Sequence, residues 1–249
     1  MVNNIALTML NSVRQSRTAI QTSHVWKDWT KRLGHKWRGK VKVIHAGEWK
    51  EDGELAVQAL HLLVTEQGRP YADLITLRSE TVDVLVTVSD STNNPTDRYV
   101  VFIKQWRTAV GRAVTSNVAG GKKWEETVEE AAQRELREEL ALDRYMKKPR
   151  QGLEVTYRRL YRHSIYASPG MLSERVYMLH AHIQLPPGQL KSFAAHLASE
   201  PTGNAEEGEV IAPHLIPVSQ AWASLLDDEA DGKTLLSLAL AGYMQPMKA

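Results

Sequence analysis

The chain contains no cysteine, which excludes disulfides, thiol nucleophiles and cysteine–zinc sites together. That absence fits an intracellular protein. Long apolar runs are missing as well: Leu235–Met244 falls well short of the roughly 20 residues a membrane span needs, so no membrane partner is expected. No apolar h-region follows the first charges, which argues against a secretory signal. Acidic residues are absent from residues 1–27, which hold Ser, Thr and Arg instead. This is the composition of a mitochondrial transit peptide, and equally of a loosely attached N-terminus. The expected setting is mitochondrial under the first reading and cytoplasmic under the second.

The shortage of acid is regional. Residues 1–42 carry nine Lys and Arg against Asp28 alone, a net +8, so with a total of +2 the other 207 residues sum to −6. At 249 residues and 43% hydrophobic, the chain can bury one large core, or a medium core beside a small one. The pattern divides it into a basic leader (1–38), a β segment (39–77) and a longer mixed region (78–249). Within the second, Lys40–Ile44 alternates, Leu55–Thr65 is apolar, and Gly68-Arg-Pro70 reads as a hairpin turn before Tyr71–Leu77. Thr81–Val88 and Arg98–Gln105 read as strong strands joined by the polar loop Asp90–Asp97. Val155–Ala167 and Glu174–Ile183 read as a second strand pair, and Glu209–Val218 as a further strand. Gln220–Leu226 and Lys233–Tyr243 read as helices.

Gly120–Leu142, GGKKWEETVEEAAQRELREELAL, carries the chemistry. From Glu125 to Leu140 it has neither Gly nor Pro and is rich in helix formers. Val128, Ala132, Leu136 and Leu140 recur every fourth residue as an apolar ridge. On a helical wheel Glu135 and Glu139 fall directly beside that ridge, with Glu138 one step further out. Carboxylates four apart repel by roughly 0.2–0.5 kcal/mol on an exposed helix. At the edge of a buried seam they cost more unless something positive lies between them. An ordinary solvated Glu-rich face, with Arg134–Glu138 as an i,i+4 pair, is the bland reading; the spacing argues against it.

The segment resembles the Nudix signature, Gly-x5-Glu-x7-Arg-Glu-apolar-x-Glu-Glu-x-Gly-apolar, at Gly120, Glu126, Arg134, Glu135, Leu136, Glu138, Glu139 and Leu142. Ala141 stands where the family has Gly, which bears on the turn leaving the helix. Around the box the chain is similar to the ADP-ribose and ADP-sugar pyrophosphatase branch. Val101–Arg107 resembles its strand ending in Gln-x-Arg, Ser168-Pro-Gly…Glu174 its Ser-Pro-Gly…Glu loop, and Glu206–Ile211 its late acidic loop. The similarity runs from Thr76 to Tyr243, about two thirds of the chain. Where the branch usually places a Glu three residues before the Ala-Gly of the box, this chain has Ser116.

The resemblance implies an α/β fold: a Nudix α/β/α sandwich with a mixed sheet, over residues 78–249, preceded by a small N-terminal β-sheet subdomain that serves as a homodimer interface. It implies Mg²⁺, with Mn²⁺ as a substitute, held by Glu135 and Glu139, with Glu138 as third ligand or bridge and the Ala119 carbonyl completing the set. Hard oxygen ligands are what Mg²⁺ prefers. Arg134 is expected to brace the glutamates and Glu126 to support them at the helix start, where the macrodipole favours negative charge. Glu207 or Glu209 would supply the general base. Arg107 would clamp phosphate with its bidentate fork, beside Gln105, and Glu174 would face the substrate.

The implied activity is hydrolysis of the diphosphate of ADP-ribose or an ADP-sugar to AMP and a sugar phosphate. A second reading changes the substrate to an RNA 5′ end, because residues 24–42 interleave Trp26, Trp29 and Trp37 with seven basic residues. Against it stands a packed N-terminal helix and strand with solvated lysines. A third reading is a non-catalytic Nudix subunit acting as a scaffold in an RNA-associated complex, which the intact box argues against.

Overall fold

The computed structural model describes residues 23–33, 41–51, 54–66, 69–90, 98–147, 152–203 and 210–244. Two compact units emerge: residues 1–80 with 166–175, and residues 81–165 with 176–249.

In the first unit, helix α1 (His24–Leu33) packs on an antiparallel sheet of β1 (Val41–Glu51), β2 (Glu54–Glu66) and β3 (Arg69–Arg78), in that order. Leu60, Leu62 and Val64 lie on one face of β2 by its period of two, and Val25, Trp26 and Trp29 stack on them from α1. Trp26 and Trp29 sit with ring centroids 5.2 Å apart and are both buried. Neither therefore presents a face on which a base could stack; Trp37 lies outside the described residues. Among the described residues the core of this unit begins at Val25, so a processing site downstream of residue 27 would remove part of it. Arg69 and Pro70, expected in the turn, open β3 instead, Pro70 opposite Thr65 at the end of the ladder. Segment 166–175 joins the same unit, with Thr76 N–H donating to the Met171 carbonyl (2.7 Å) and Ser173 N–H to Thr76 (3.0 Å). Glu174 thus ends no strand: it precedes β9.

The second unit is built on β4 (Thr81–Asp90), β5 (Tyr99–Arg107), β6 (Arg112–Ser116), β7 (Val118–Gly121), β8 (Glu154–Arg159), β9 (Val176–Leu185) and β10 (Ile211–Pro217). The sheet runs β10-β5-β4-β9-β8, with only β4–β9 parallel, and is therefore mixed. Helices α2 (Val128–Glu139), α3 (Leu142–Met146) and α4 (Leu190–Leu197) cover one face through Leu136, Leu140, Tyr145, Phe193 and Leu197. Helices α5 (Val218–Leu226) and α6 (Gly232–Leu240) cover the other through Ala221, Leu225 and Leu238. The result is an α/β/α sandwich. Alternation along β4 feeds both cores, Val82, Val84 and Val86 on the α2 side and Leu85 on the α6 side.

One irregularity positions the site. β4 and β5 pair directly only at Val86–Val88 with Tyr99–Val101. Towards the start of β4 and the end of β5 they part, and β6–β7, joined by Asn117, fills the gap: β6 pairs with β5 and β7 with β4. The ends of β5 and β7 therefore lie at the same end of the sheet, as Gly121 is paired with Thr81 and Arg107 with Arg112.

Candidate functional site

Helix α2 starts three residues later than its composition suggests, because Thr127 forms a capping box: its hydroxyl accepts from Glu130 N–H (3.1 Å), and Glu130 accepts from Thr127 N–H (2.8 Å). The Thr-x-x-Glu signal for it is legible in the sequence. Glu126 consequently lies before the cap and not in the first helical turn. It takes Lys123 N–H (2.9 Å) and the Arg134 guanidinium (Nε, 2.8 Å), and Arg134 holds its carboxyl below the usual carboxylate range.

The apolar ridge is buried as the spacing requires, and Glu135 and Glu139 are buried beside it, Glu139 at 1% exposure. Two charges so placed need compensation. Arg134 supplies part of it: Nη1 donates to Glu135 (2.7 Å) and Glu138 (3.2 Å), and Nη2 to the Gly121 carbonyl (2.6 Å) and Glu126 (3.1 Å). One guanidinium thus ties three glutamates and the end of β7 together. Strand β7 adds to it. Ala119 N–H donates to Glu139 Oε2 (3.1 Å). At Gly120 a Cβ would fall 2.0 Å from Glu135 Oε1, so only glycine leaves that carboxylate its room. Glu138 is half-buried and opens the trio to solvent.

The far end of α2 is also tied down by side chains. Thr202 donates its hydroxyl to the Glu139 carbonyl, and His196 Nε2 donates to that of Leu140 (3.0 Å). Ala141, where the signature has Gly, takes the left-handed conformation, φ 48° and ψ 42°, the one non-glycine residue with positive φ among the described residues. The Ala141 side chain bears the cost of that conformation.

Gln105 and Arg107 share strand parity with Val101 and Ile103, whose side chains lie in the α2 core, so both positions belong to the α2 face, at the end of the sheet where β7 ends. Gln105 is buried and Arg107 half-buried. Glu207 and Glu209 lie outside the described residues. The residues flanking that segment are held beside the box: Thr202 pairs with Ile211, and Ile211 sits opposite Gln105. Glu174 belongs to the first unit, where it is buried and paired with Arg78 (3.3 Å). Ser116 is buried opposite Ile103, and its hydroxyl has no hydrogen-bond partner among the described residues.

Sequence reasoning missed the layer behind β7. Asp83, fully buried on β4 opposite Ala119, accepts from Asn117 Nδ2 (2.6 Å) and Ser237 Oγ (2.9 Å). Burial pushes its carboxyl up to about 6 against those hydrogen bonds. No local signal could have given its partners, which are 34 and 154 residues away.

Among the described residues no three acidic or imidazole side chains are gathered closely enough to hold a metal ion by themselves. The chemistry of the donors still suits a hard cation: Glu135 and Glu139, one turn apart, present carboxylates against β7, and half-exposed Glu138 lies next to them. Mg²⁺ keeps several waters and needs only a few carboxylates.

Comparison with known proteins identifies the family. The NUDIX domain model matches residues 79–238. A solved structure of an ADP compounds hydrolase is similar in fold over 82% of this chain and 92% of its own, at 15% identity and a TM-score of 0.50. No curated protein sequence matches. With the family model covering well over half its length, the chain belongs to the Nudix hydrolase family.

Proposed function

We propose that the protein hydrolyses the diphosphate linkage of ADP-ribose or a related ADP-sugar, releasing AMP and a sugar phosphate, with Mg²⁺ or Mn²⁺ bound by Glu135, Glu138 and Glu139 and the Ala119 carbonyl. The observation that carries it is the seat of these glutamates: two buried carboxylates on α2, Glu135 bedded on Gly120 and Glu139 bonded by Ala119 N–H, with Arg134 joining Glu135 to Glu138. So much buried negative charge in one place is costly unless a cation shares it.

A divalent cation bound there would neutralise phosphate charge and orient or acidify a water. Arg107, on the same face at the sheet end, would take phosphate oxygens on two of its donors. Glu207 or Glu209, in the acidic segment that follows Thr202 in the sequence, would take the proton from the attacking water. The adenylate preference is supported by Gln105-Trp-Arg107, Ser168-Pro-Gly with Glu174, and the late acidic loop, in the order of that branch, and by the fold shared with an ADP compounds hydrolase. The N-terminal sheet is the surface through which a second copy would assemble.

The test offers ADP-ribose, ADP-glucose and 5′-triphosphate RNA in parallel, with and without Mg²⁺. AMP released from ADP-sugars only with the cation is the expected result. Pyrophosphate released from RNA with inert ADP-sugars would reject the substrate assignment, and no turnover of either, even with Mn²⁺, would favour a scaffold.

A further inference from the structure

The glutamates of the box rest on β7, and β7 is held from behind. Its entry residue, Asn117, is fully buried between β6 and β7 and is fixed at two atoms. Its N–H donates to Thr234 Oγ1 (3.0 Å), and its Nδ2 donates to Asp83 (2.6 Å). Asp83 in turn accepts from Ser237 Oγ (2.9 Å), one helical turn beyond Thr234 on α6. Asp83 is also the backbone partner of Ala119 in the β4–β7 ladder. A continuous path therefore runs from α6, through Asp83 and Asn117, to the Ala119-Gly120 backbone, and from there to Glu139 and Glu135 on the opposite face of the sheet.

This cluster is expensive as mere filling. Asp83 Oδ2 and Asn117 Oδ1 are both buried with no hydrogen-bond partner among the described residues. Apolar side chains of similar volume would avoid that penalty. What the polar pair supplies, and apolar packing cannot, is a directional hold on the turn between β6 and β7. Glycine at 120 makes that hold necessary, because the strand that must lie closest to Glu135 has the least conformational restraint of its own.

We propose that Asp83 and Asn117 are positioning residues for the metal-binding glutamates, fixing β7 so that Ala119 N–H and the bare Gly120 backbone hold Glu139 and Glu135 in place. The inference rests on the reading that these glutamates bind a divalent cation. Groups of this kind behind a ligand shell are worth about 10–100-fold in metal affinity.

The experiment is Mn²⁺ binding to the full chain without substrate, followed by electron paramagnetic resonance of the free ion, alongside thermal unfolding. Asp83→Leu keeps the volume and removes both acceptors; its Mn²⁺ affinity is expected to fall about 10–100-fold. Asp83→Asn keeps an acceptor for Asn117 and Ser237 and should restore affinity to within a few-fold of wild type. Leu238→Ala, in the adjacent core, lowers the melting temperature without touching the cluster and should leave affinity unchanged. Folded Asp83→Leu with wild-type affinity overturns the proposal, as does an equal loss in Leu238→Ala. Where Asp83→Leu fails to fold, Ser237→Ala decides: roughly 10-fold weaker binding supports the proposal and unchanged binding overturns it. Wild-type protein that binds no Mn²⁺ refutes the metal reading itself and the proposal with it, a result distinct from both.

Discussion

The Glu135 carboxylate occupies the space a side chain at position 120 would fill: a Cβ on Gly120 would lie 2.0 Å from Oε1 and 2.1 Å from Cδ. The obstacle is the far end of a flexible side chain, so Gly120→Ala displaces the carboxylate before it distorts the strand. The fold should survive with a loss of no more than about 2 kcal/mol. Glu135 leaves its bond to Arg134, and activity should fall about 10–100-fold. Chemical denaturation beside a rate measurement checks both halves; a fully active Gly120→Ala protein would show that Glu135 does not work from this seat.

Glu139→Gln removes a charge with almost no change of shape. The amide can still accept from Ala119 N–H, so the fold should hold, while turnover drops by at least ~10²-fold, the scale of losing one major electrostatic element. Steady-state kinetics at saturating Mg²⁺ give the answer. Near-normal turnover would remove Glu139 from the metal site.

Which of these features were legible in the sequence follows from how local their causes are. The box helix was, because its ridge and its glutamates are set by a 3.6-residue period within one segment. The long strands were, because Val and Ile at period two need no partner to be recognised. Strands β6 and β7 were not: RAVTS and VAGG are too short to show a period, and they exist because β4 and β5 part around them. Helix α4 was overlooked although Leu190, Phe193 and Leu197 carry a helical stripe. Trp26 and Trp29 admitted two readings, and the packed one holds. Aromatics among lysines suggest stacking on bases, but their three-residue spacing with Val25 and Leu33 is the inner stripe of α1. Asp83 lay hidden in an apolar strand, since only its distant partners explain it.

Ala141 sits at the end of α2 in a left-handed conformation that costs a residue with a Cβ about 1–2 kcal/mol. Ala141→Gly removes that cost and gives back part of it through the freer unfolded chain. The net expectation is about 1 kcal/mol of added stability, or roughly 2–4 °C in melting temperature for a chain of this size. Calorimetry decides; a lower melting point would mean that the Ala141 methyl contributes packing that outweighs its strain.

Deleting residues 1–22 leaves every described side chain of α1 in place, whereas deleting 1–30 removes Val25, Trp26 and Trp29 from the first unit's core. The shorter deletion spares that core and should cost less than the longer one. The longer one should cost at least about 3 kcal/mol, the scale of emptying one buried Trp site. The natural protein, if processed, should therefore begin no later than Ser23, which N-terminal mass spectrometry can test. A mature start inside α1 would contradict that core.

Two buried groups give the stability an unusual balance with pH. Asp83 is pushed up to about 6, chiefly by burial, from an ordinary 3.8, so the native state prefers it protonated. Its contribution is complete below about pH 4 and is lost as pH rises through 6. His180 moves the other way, down to about 4 from 6.5, first by burial and then by Arg158 and its neighbours. Its bonds explain why it resists a proton. Arg158 Nε donates to Nδ1 (3.0 Å), so the neutral ring carries its hydrogen on Nε2 and donates to Thr87 (2.7 Å). Thr87 then donates to His182 Nδ1 (2.9 Å), whose Nε2 donates to Ser89 (3.0 Å). A proton on either ring would set two donors against each other. The His180 contribution is therefore present above pH 6.5 and lost towards pH 4, and across that interval the two terms oppose. Asp83→Asn removes only the first. Relative to wild type the variant should gain about 3 kcal/mol between pH 4 and pH 7, at 1.36 kcal/mol for each of roughly two pH units of displacement. Denaturant titrations of both proteins across that range supply the difference, and parallel curves would mean that Asp83 does not titrate between the two states.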